Sequence, residues 1–134
     1  MILPNGATVA VADGHRLLLF RNIAHEPGIE LLALPAPGLP QGHGGSGMRH
    51  RSSSANPDRA RLLEDDFAAA ACAALNRAAI AGEIAALLVI ADARTLGEMR
   101  RQFHGSLRER LLGEIVKDMT GRSSMEIEAV IRAA

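Results

Sequence analysis

The chain is poor in aromatic residues, with three Phe and no Trp or Tyr among its 134 residues. Its hydrophobic fraction is nevertheless 48%, so the core must be built mainly from Leu, Ile, Val, Met and Ala. Phe20, Phe67 and Phe103 are too few and too far apart to form a platform on which bases stack. This absence argues against the common modules that bind single-stranded RNA by aromatic stacking.

Cysteine is also scarce, because Cys72 is the only one. A single cysteine excludes an intrachain disulfide and any zinc site built from several cysteines. Cys72 follows an alanine-rich apolar pattern, which predicts a small core residue rather than a reactive thiol.

Charge of one sign is not in excess, since 15 basic and 15 acidic side chains give a formal net charge of zero. A balanced charge removes the global electrostatic argument for a nucleic-acid binder and leaves only the possibility of a local basic patch.

No apolar run approaches the ~20 residues that a membrane-spanning helix needs. The first residues, Met-Ile-Leu-Pro-Asn-Gly, lack the cationic start and apolar run of a signal peptide. We therefore predict a soluble cytoplasmic protein with one domain over residues 1–134, a length that can bury a sizeable core.

Three short apolar segments with β-branched residues open the chain and predict strands over 7–12, 15–23 and 29–34. Asp13-Gly14 separates the first two. This dipeptide is typical of a hairpin with a type I′ turn, in which both central residues need a positive φ. The opening third is therefore predicted to be an antiparallel meander.

Helical signals begin at Asn56-Pro57-Asp58, which combines a capping residue, a proline suited to the first helical position and an acidic first turn. Apolar residues then recur at helical spacing until Gly82, a typical helix stop. We predict a helix over 58–81, in which Glu64, Asp65 and Asp66 are helix-dipole partners on a solvated face.

The last third alternates between the two kinds of element. A continuous apolar run predicts a buried strand over 87–91. Thr95 to Glu98 and Ser123 to Glu126 match the capping-box pattern and predict two further helices. Segment 111–117 fits both periods, and a strand is favoured because a β-α-β unit would place it beside 87–91. The resulting order β-β-β-α-β-α-β-α predicts an α/β fold with a mixed five-stranded sheet.

A long segment at 36–57 interrupts this pattern and is rich in Gly, Pro and Arg. Segments of this length without an apolar period are usually functional or disordered. Gly44-Gly45-Ser46-Gly47 has a composition that can form a nest of backbone N–H groups around a phosphate. The arginines that would extend such a patch are Arg49, Arg51, Arg59 and Arg61. The alternative interpretation is a solvated connector.

The sequence offers three catalytic or metal-based alternatives. His43 and His50 lie seven residues apart with no cysteine or carboxylate between them, so no metal site is predicted. Ser46 with either histidine lacks the Gly-x-Ser-x-Gly context of a hydrolase nucleophile.

The third alternative is a two-metal nuclease that uses Asp13, Asp92 and Asp118, since all three follow predicted strands. Roles in turns and helix caps are the more common explanation for carboxylates in such places.

Three motifs together carry a resemblance. They are Val11-Ala12-Asp13-Gly14, the strand 87–91 followed by Leu96-Gly97-Glu98-Met99-Arg100, and Glu114-Ile115-Val116-Lys117-Asp118-Met119-Thr120. In this order and spacing they resemble the landmarks of the bacterial host attachment family, described as proteins required for attachment to host cells.

That family is in turn similar to the middle domain of archaeo-eukaryotic class-1 peptide release factors and of Pelota, whose sheet is RNase H-like. In the release factors, a Gly-Gly-Gln tripeptide between the meander and the long helix helps water to attack the ester of peptidyl-tRNA. Gly44 and Gly45 match its glycines, whereas Ser46 stands in place of the glutamine.

The resemblance implies fold and ancestry more strongly than chemistry. The leading hypothesis is a non-enzymatic or weakly catalytic translation-associated protein that presents Gly44-Gly45-Ser46 to RNA, with the ribosome or tRNA as partner and no cofactor. One alternative is a release or rescue factor that hydrolyses peptidyl-tRNA. The other is a protein-interaction module in cell attachment.

Overall fold

The structure is a computed structural model that describes residues 1–39 and 57–134, so most of the segment 36–57 lies outside the described residues. The strands are β1 (Thr8–Ala12), β2 (Leu17–Asn22), β3 (Leu31–Leu34), β4 (Leu87–Ala91) and β5 (Leu111–Val116). The helices are α1 (Pro57–Ile80), α2 (Ala93–Arg100), α3 (Gly105–Arg108) and α4 (Ser124–Ala133). Within these described residues, no helix is both long enough and apolar enough to cross a membrane.

The five strands form one mixed sheet in the order β3-β2-β1-β4-β5. The meander β1-β2-β3 is antiparallel, whereas β1, β4 and β5 run parallel to one another. The predicted α/β fold with a mixed five-stranded sheet is confirmed, and the ambiguous segment 111–117 is a strand. Both β1 and β4 are buried along their whole length, as expected for strands covered on both faces.

Two apolar layers lie on opposite faces of the sheet. On one face, Ala10 and Ala12 of β1 pack with α1, α2 and α3 around Phe67, Leu75 and Met99. On the other face, Val9 and Val11 pack against α4 through Ile127 and Ile131. Because side chains alternate along a strand, β1 supplies small residues to the layer under α1 and larger ones to the layer under α4. The alanines of α1 and β1 thus let the longest helix lie close to the sheet.

The end of α1 is fixed by Gly82, whose φ of +82° places it in the left-handed region. Its N–H donates to the carbonyl of Ala79 (3.1 Å), and the N–H of Glu83 donates to the carbonyl of Ala78 (2.9 Å). This pair of bonds is the Schellman motif, in which glycine is favoured because it has no Cβ. The predicted helix stop is confirmed.

The turn between β1 and β2 differs from its prediction. The hairpin is present, but Gly14 is not among the described residues with a positive φ, so the turn is not of type I′. Instead, the Oδ1 atom of Asp13 accepts hydrogen bonds from the N–H groups of His15 and Arg16, both at 2.7 Å. The side chain of Asp13 therefore builds an Asx-type turn, which needs no left-handed residue.

The two predicted capping boxes have different outcomes. Ser123 and Glu126 form the full reciprocal box at the start of α4, as predicted. The box predicted at Thr95 is wrong, because Asp92 caps α2 and accepts a hydrogen bond from the N–H of Thr95 at 3.1 Å. An aspartate is as good an N-cap as threonine or better, so the helix begins three residues earlier. The four-residue helix α3 had no periodic signal and was not predicted.

Candidate functional site at the carboxyl edge of the sheet

The parallel strands β1, β4 and β5 end at the same edge of the sheet, which we call the carboxyl edge. In open α/β sheets, ligands bind outside this edge. Asp13 and Asp92 directly follow β1 and β4, and Asp118 follows β5 after one residue. The structure thus places at one edge the three carboxylates that the sequence places after strands.

The described residues on either side of segment 40–56 also lie at this edge. Leu39 lines a cleft with His15, Arg16 and Phe67. On the other side, the first two turns of α1 run past the β1–β2 turn, where Gly14 comes so close to Glu64 that a Cβ at position 14 would lie 2.8 Å from its Cγ. The described residues that flank segment 40–56 therefore lie at the carboxyl edge.

A network centred on Thr120 joins the ends of β1 and β5. The Thr120 hydroxyl lies 2.8 Å from Oδ2 of Asp13 and 3.0 Å from Oδ1 of Asp118, and it accepts a hydrogen bond from Nη2 of Arg16 at 3.0 Å. One hydroxyl proton can satisfy only one of the two carboxylates, so the second depends on other donors. For Asp118 this donor is the N–H of Thr120, at 3.3 Å.

These contacts set the ionisation of Asp13. Burial acts to raise its pKa, but hydrogen bonds from the N–H groups of His15 and Arg16 and from the Thr120 hydroxyl outweigh burial, with a smaller contribution from the Arg16 charge. The pKa of Asp13 is therefore lowered from its ordinary value of 3.8. A carboxylate held ionised by local donors acts as a structural anchor and not as a proton donor at neutral pH.

Asp92 does not join this network. Its Oδ2 atom caps α2, while its Oδ1 atom is buried and has no hydrogen-bond partner among the described residues. Over residues 1–39 and 58–134, no group of three or more His, Cys, Asp and Glu side chains is placed to hold a metal ion. Asp13 thus acts in a turn and Asp92 as a helix cap, the roles that the sequence favoured over a two-metal nuclease.

A second set of contacts ties α1 to its neighbours. Nη2 of Arg94, at the start of α2, lies 3.0 Å from both carboxylate oxygens of Asp65. Glu64 lies 3.3 Å from Nε2 of His15 and 3.9 Å from Nε of Arg94. The interpretation of Glu64 and Asp65 as merely solvated dipole partners is incomplete, because both side chains pair with groups of other elements. The sequence around Glu64 and Asp65 gives no signal for contacts with residues as distant along the chain as His15 and Arg94.

The charge of the described carboxyl edge is mixed. Both Arg16 and Arg94 are about half exposed, and both contact carboxylates. Cations already paired with carboxylates give up existing contacts when they bind a phosphate, so they make weaker phosphate ligands. Arg16 and Arg94 are therefore weaker phosphate ligands than their exposure alone would suggest.

The predicted RNA-contacting residues divide between described and undescribed parts of the chain. Arg59 and Arg61 are exposed on the first turns of α1. Arg49 and Arg51 lie outside the described residues, and so do the catalytic candidates Gly44, Gly45 and Ser46. His43 and His50, weighed above only as metal ligands or partners of Ser46, also lie outside them.

Cys72 is fully buried against α2, and its thiol lies 3.5 Å from the carbonyl of Met99. Burial raises its pKa to about 12, and the Arg108 charge opposes this only in part. A thiol that stays protonated is a poor nucleophile. The prediction of a core cysteine is confirmed.

The strand order, the opening meander and the long connection before α1 agree with the class of release-factor-like α/β domains that the sequence motifs indicate. The chain belongs to the bacterial archaeo-eukaryotic release factor family 12, whose family model matches residues 6–131. This membership supports a translation-associated role in general terms. None of the curated protein sequences matches the chain.

Proposed function

We propose that the protein binds RNA of the translation apparatus, on the ribosome or on tRNA, and presents Gly44-Gly45-Ser46 at the point of contact. Arg49, Arg51, Arg59 and Arg61 are the phosphate-contacting residues of this proposal. The role is one of positioning, with little or no catalysis, because Ser46 occupies the place of the release-factor glutamine.

The observation that carries the proposal is the family match over residues 6–131, which supports a translation-associated role. Two features of the fold add support. The described residues that flank segment 40–56 lie at the carboxyl edge, and α1 exposes Arg59 and Arg61 on its first turns at that edge. From Met48 to Arg61 the sequence holds four Arg and one Asp, which is a local excess of positive charge in a chain of zero net charge.

Hydrolysis of peptidyl-tRNA is the second candidate, because the family is named for release factors. In this alternative, Gly44 and Gly45 let the backbone approach the ester closely, and Ser46 or a neighbouring group orients water. Both candidate functions use the same binding surface, and they differ in whether peptidyl-tRNA is hydrolysed.

The test is co-sedimentation with ribosomes over a range of salt concentrations, with the parent chain and the double variant Arg49→Ala/Arg51→Ala. We expect binding to weaken with salt, and the slope of log K against log salt to fall by about 1.5 when two phosphate contacts are removed. Equal binding of parent and variant at low salt would refute the role of the patch.

A matched control is Arg77→Ala/Arg101→Ala, which removes the same charge from two exposed arginines. Arg77 lies in the last turn of α1 and Arg101 at the C-cap of α2, far from the carboxyl edge. We expect this variant to bind ribosomes as the parent does. A similar loss in both variants would point to net charge alone.

Ester hydrolysis is measured on stalled ribosomes that carry peptidyl-tRNA. Turnover that disappears in Gly44→Ala and Gly45→Ala supports the second candidate, and the absence of turnover in the parent removes it. A role only in cell attachment, as a protein-interaction module, predicts a protein partner that survives nuclease treatment and no binding to ribosomes.

A further inference from the structure

The strands β2 and β3 are well covered on only one face of the sheet. On the face under α4, Phe20 and Leu31 are buried in the apolar layer that contains Ile127 and Ile131. On the other face, the helix layer packs on β1, β4 and the start of β2. Among the described residues, α1 is the only helix that borders the rest of β2 and β3 on this face.

The side chains on this less covered face are mostly apolar. The strand register places Leu19 opposite Leu34 and Arg21 opposite Leu32, so the four side chains share one face. Leu19 and Leu34 are half-buried, and Leu32 is 51% exposed. Antiparallel strands with one face in water usually carry polar residues on that face. Three leucines there instead indicate a surface that meets a partner.

A groove separates these strands from the last turns of α1. It consists of two adjoining cavities of about 440 and about 350 Å³, which share Leu19, Pro35, Ala78 and Glu83 in their linings. Leu19 lies on the sheet side and Pro35 follows β3, whereas α1 contributes small side chains: Ala74, Ala78 and Ala81. We call this space the α1–β2 groove. Because the side chains of α1 are so short, the helix does not fill the space over the strands.

Two arginines line the groove, one in each cavity. Arg77 of α1 lines the larger cavity and Arg21 of β2 the smaller one, and both are exposed. Neither side chain forms an ion pair or a hydrogen bond with another described residue. Glu83 is the only acidic residue in either lining. The groove is therefore complementary to an apolar surface that carries carboxylates on its flanks.

RNA and the chain's own segment 40–56 fit this groove poorly. No aromatic side chain lines the groove within the described part of the chain, so bases have nothing to stack on, and Glu83 would repel a phosphate. Segment 40–56 is rich in Gly and Ser, and its charged residues, Arg49 and Arg51, have the same sign as the arginines of the groove. A separate acidic partner fits the charge better.

We propose that the α1–β2 groove docks an amphipathic helix of a partner protein, with the apolar stripe of that helix on Leu19 and Leu34 and its carboxylates beside Arg21 and Arg77. The stretch of α1 from Ala74 to Ala81 is about 10 Å long, so it accommodates about two turns of the partner helix. Such an interface is small, and we expect reversible binding. The groove contains none of the arginines proposed to contact RNA, so this inference does not depend on the proposed function.

The test is binding of a fluorescein-labelled synthetic peptide to the full chain, measured by fluorescence anisotropy. The peptide is a helix of about four turns with a stripe of leucines flanked on both sides by glutamates, and its control has glutamines instead of the glutamates. We expect the glutamate peptide to bind more tightly than the control, with an affinity that falls as salt is added.

Charge reversal tests the role of the arginines. Arg21→Glu/Arg77→Glu should weaken binding of the glutamate peptide about tenfold and should strengthen binding of a peptide with lysines in those places. The matched control is Arg101→Glu/Lys117→Glu, which makes the same change in charge at two exposed residues outside the groove. This control should bind the glutamate peptide nearly as the parent does.

A substitution on α1 tests the position of the peptide. Ala78→Glu places a carboxylate where the two cavities meet and should weaken binding about tenfold. Ala73→Glu is the matched control, because Ala73 is also half-buried on α1 but lines a different cavity, beside His104. Circular dichroism checks that each variant is folded.

Several outcomes would overturn the proposal. They are failure of the glutamate peptide to bind the parent, equal binding of the glutamine peptide, and equal losses in the matched control variants. A parent dimer in sedimentation equilibrium that Ala78→Glu dissociates would assign the groove to a second copy of the chain. Displacement of the peptide by a single-stranded RNA oligonucleotide would assign the groove to RNA.

Discussion

Asn22 is a buried polar residue whose replacement tests how the meander is held together. It ends β2, and its side chain is fully buried. Its amide nitrogen donates to the carbonyl of Leu3 at 3.0 Å, with longer contacts of 3.3 Å to the carbonyls of Pro4 and Gly28. Its Oδ1 atom accepts from the N–H groups of Ala24 (3.1 Å) and Glu30 (3.0 Å).

We choose Asn22→Leu because leucine has as many side-chain heavy atoms as asparagine, branches at the same atom, and removes every one of these bonds. The two N–H groups and the carbonyl of Leu3 then lose their shortest side-chain partners. Each buried group left without a partner costs about 1–3 kcal/mol, with the lower end for groups that water can reach. Since four of the five contacts are only partly buried or long, we expect a total loss of about 3 kcal/mol.

Urea unfolding followed by far-UV circular dichroism is the assay, since the chain has no Trp or Tyr for fluorescence. A loss of about 3 kcal/mol is a large part of the 5–15 kcal/mol that stabilises a typical domain. The control is Asn5→Leu, because Asn5 is exposed and makes one side-chain bond, to the carbonyl of Ala24 at 3.0 Å. A change below about 1 kcal/mol in Asn22→Leu would refute the assigned role of the network.

Three other substitutions or treatments test separate features. Gly82→Ala should destabilise the protein by about 1 kcal/mol in the same urea assay, because alanine is strained at a φ of +82°. Asp13→Asn should reduce the loss of stability at acid pH. The lowered native pKa means that the stability from the Asp13 carboxylate is full above its unfolded pKa and is lost as the pH falls through the native value. The difference in unfolding free energy between the parent and Asp13→Asn should therefore become smaller from neutral pH to pH about 3. A difference that stays constant over this range would contradict the assignment. Cys72 should resist alkylation by iodoacetamide in the folded protein and react after denaturation, because burial raises its pKa to about 12. Fast labelling of the native chain would show instead that the contact between α1 and α2 opens.

Element types could be predicted where one local signal dominates. The strand at Leu87–Ala91 has an unbroken apolar run, and α1 has both a start signal and Gly82 as a stop, so both lie where expected. Predictions failed where two local signals compete. Asp92 and Thr95 are both possible caps, and only tertiary position decides that Asp92 begins the helix.

For the carboxyl edge, the sequence predicts where the carboxylates lie but not which side chains they contact. The sequence indicates that Asp13 and Asp118 follow strands whose ends meet. It does not indicate that Thr120 lies between them, because that contact joins residues more than a hundred positions apart. The same holds for Glu128 and the N–H of Leu31, which meet because α4 crosses back over the sheet towards β3.

The place of β1 in the middle of the sheet has a consequence for synthesis of the chain. Its first neighbour, β2, follows after a short turn, but its second, β4, pairs Leu87 with Thr8 across the whole intervening sequence. A ribosome therefore releases the meander long before β4 exists, and one edge of an apolar strand stays open during that interval. Contacts of such sequence separation slow folding. We expect the nascent chain to need shielding until residues up to Ala91 have emerged.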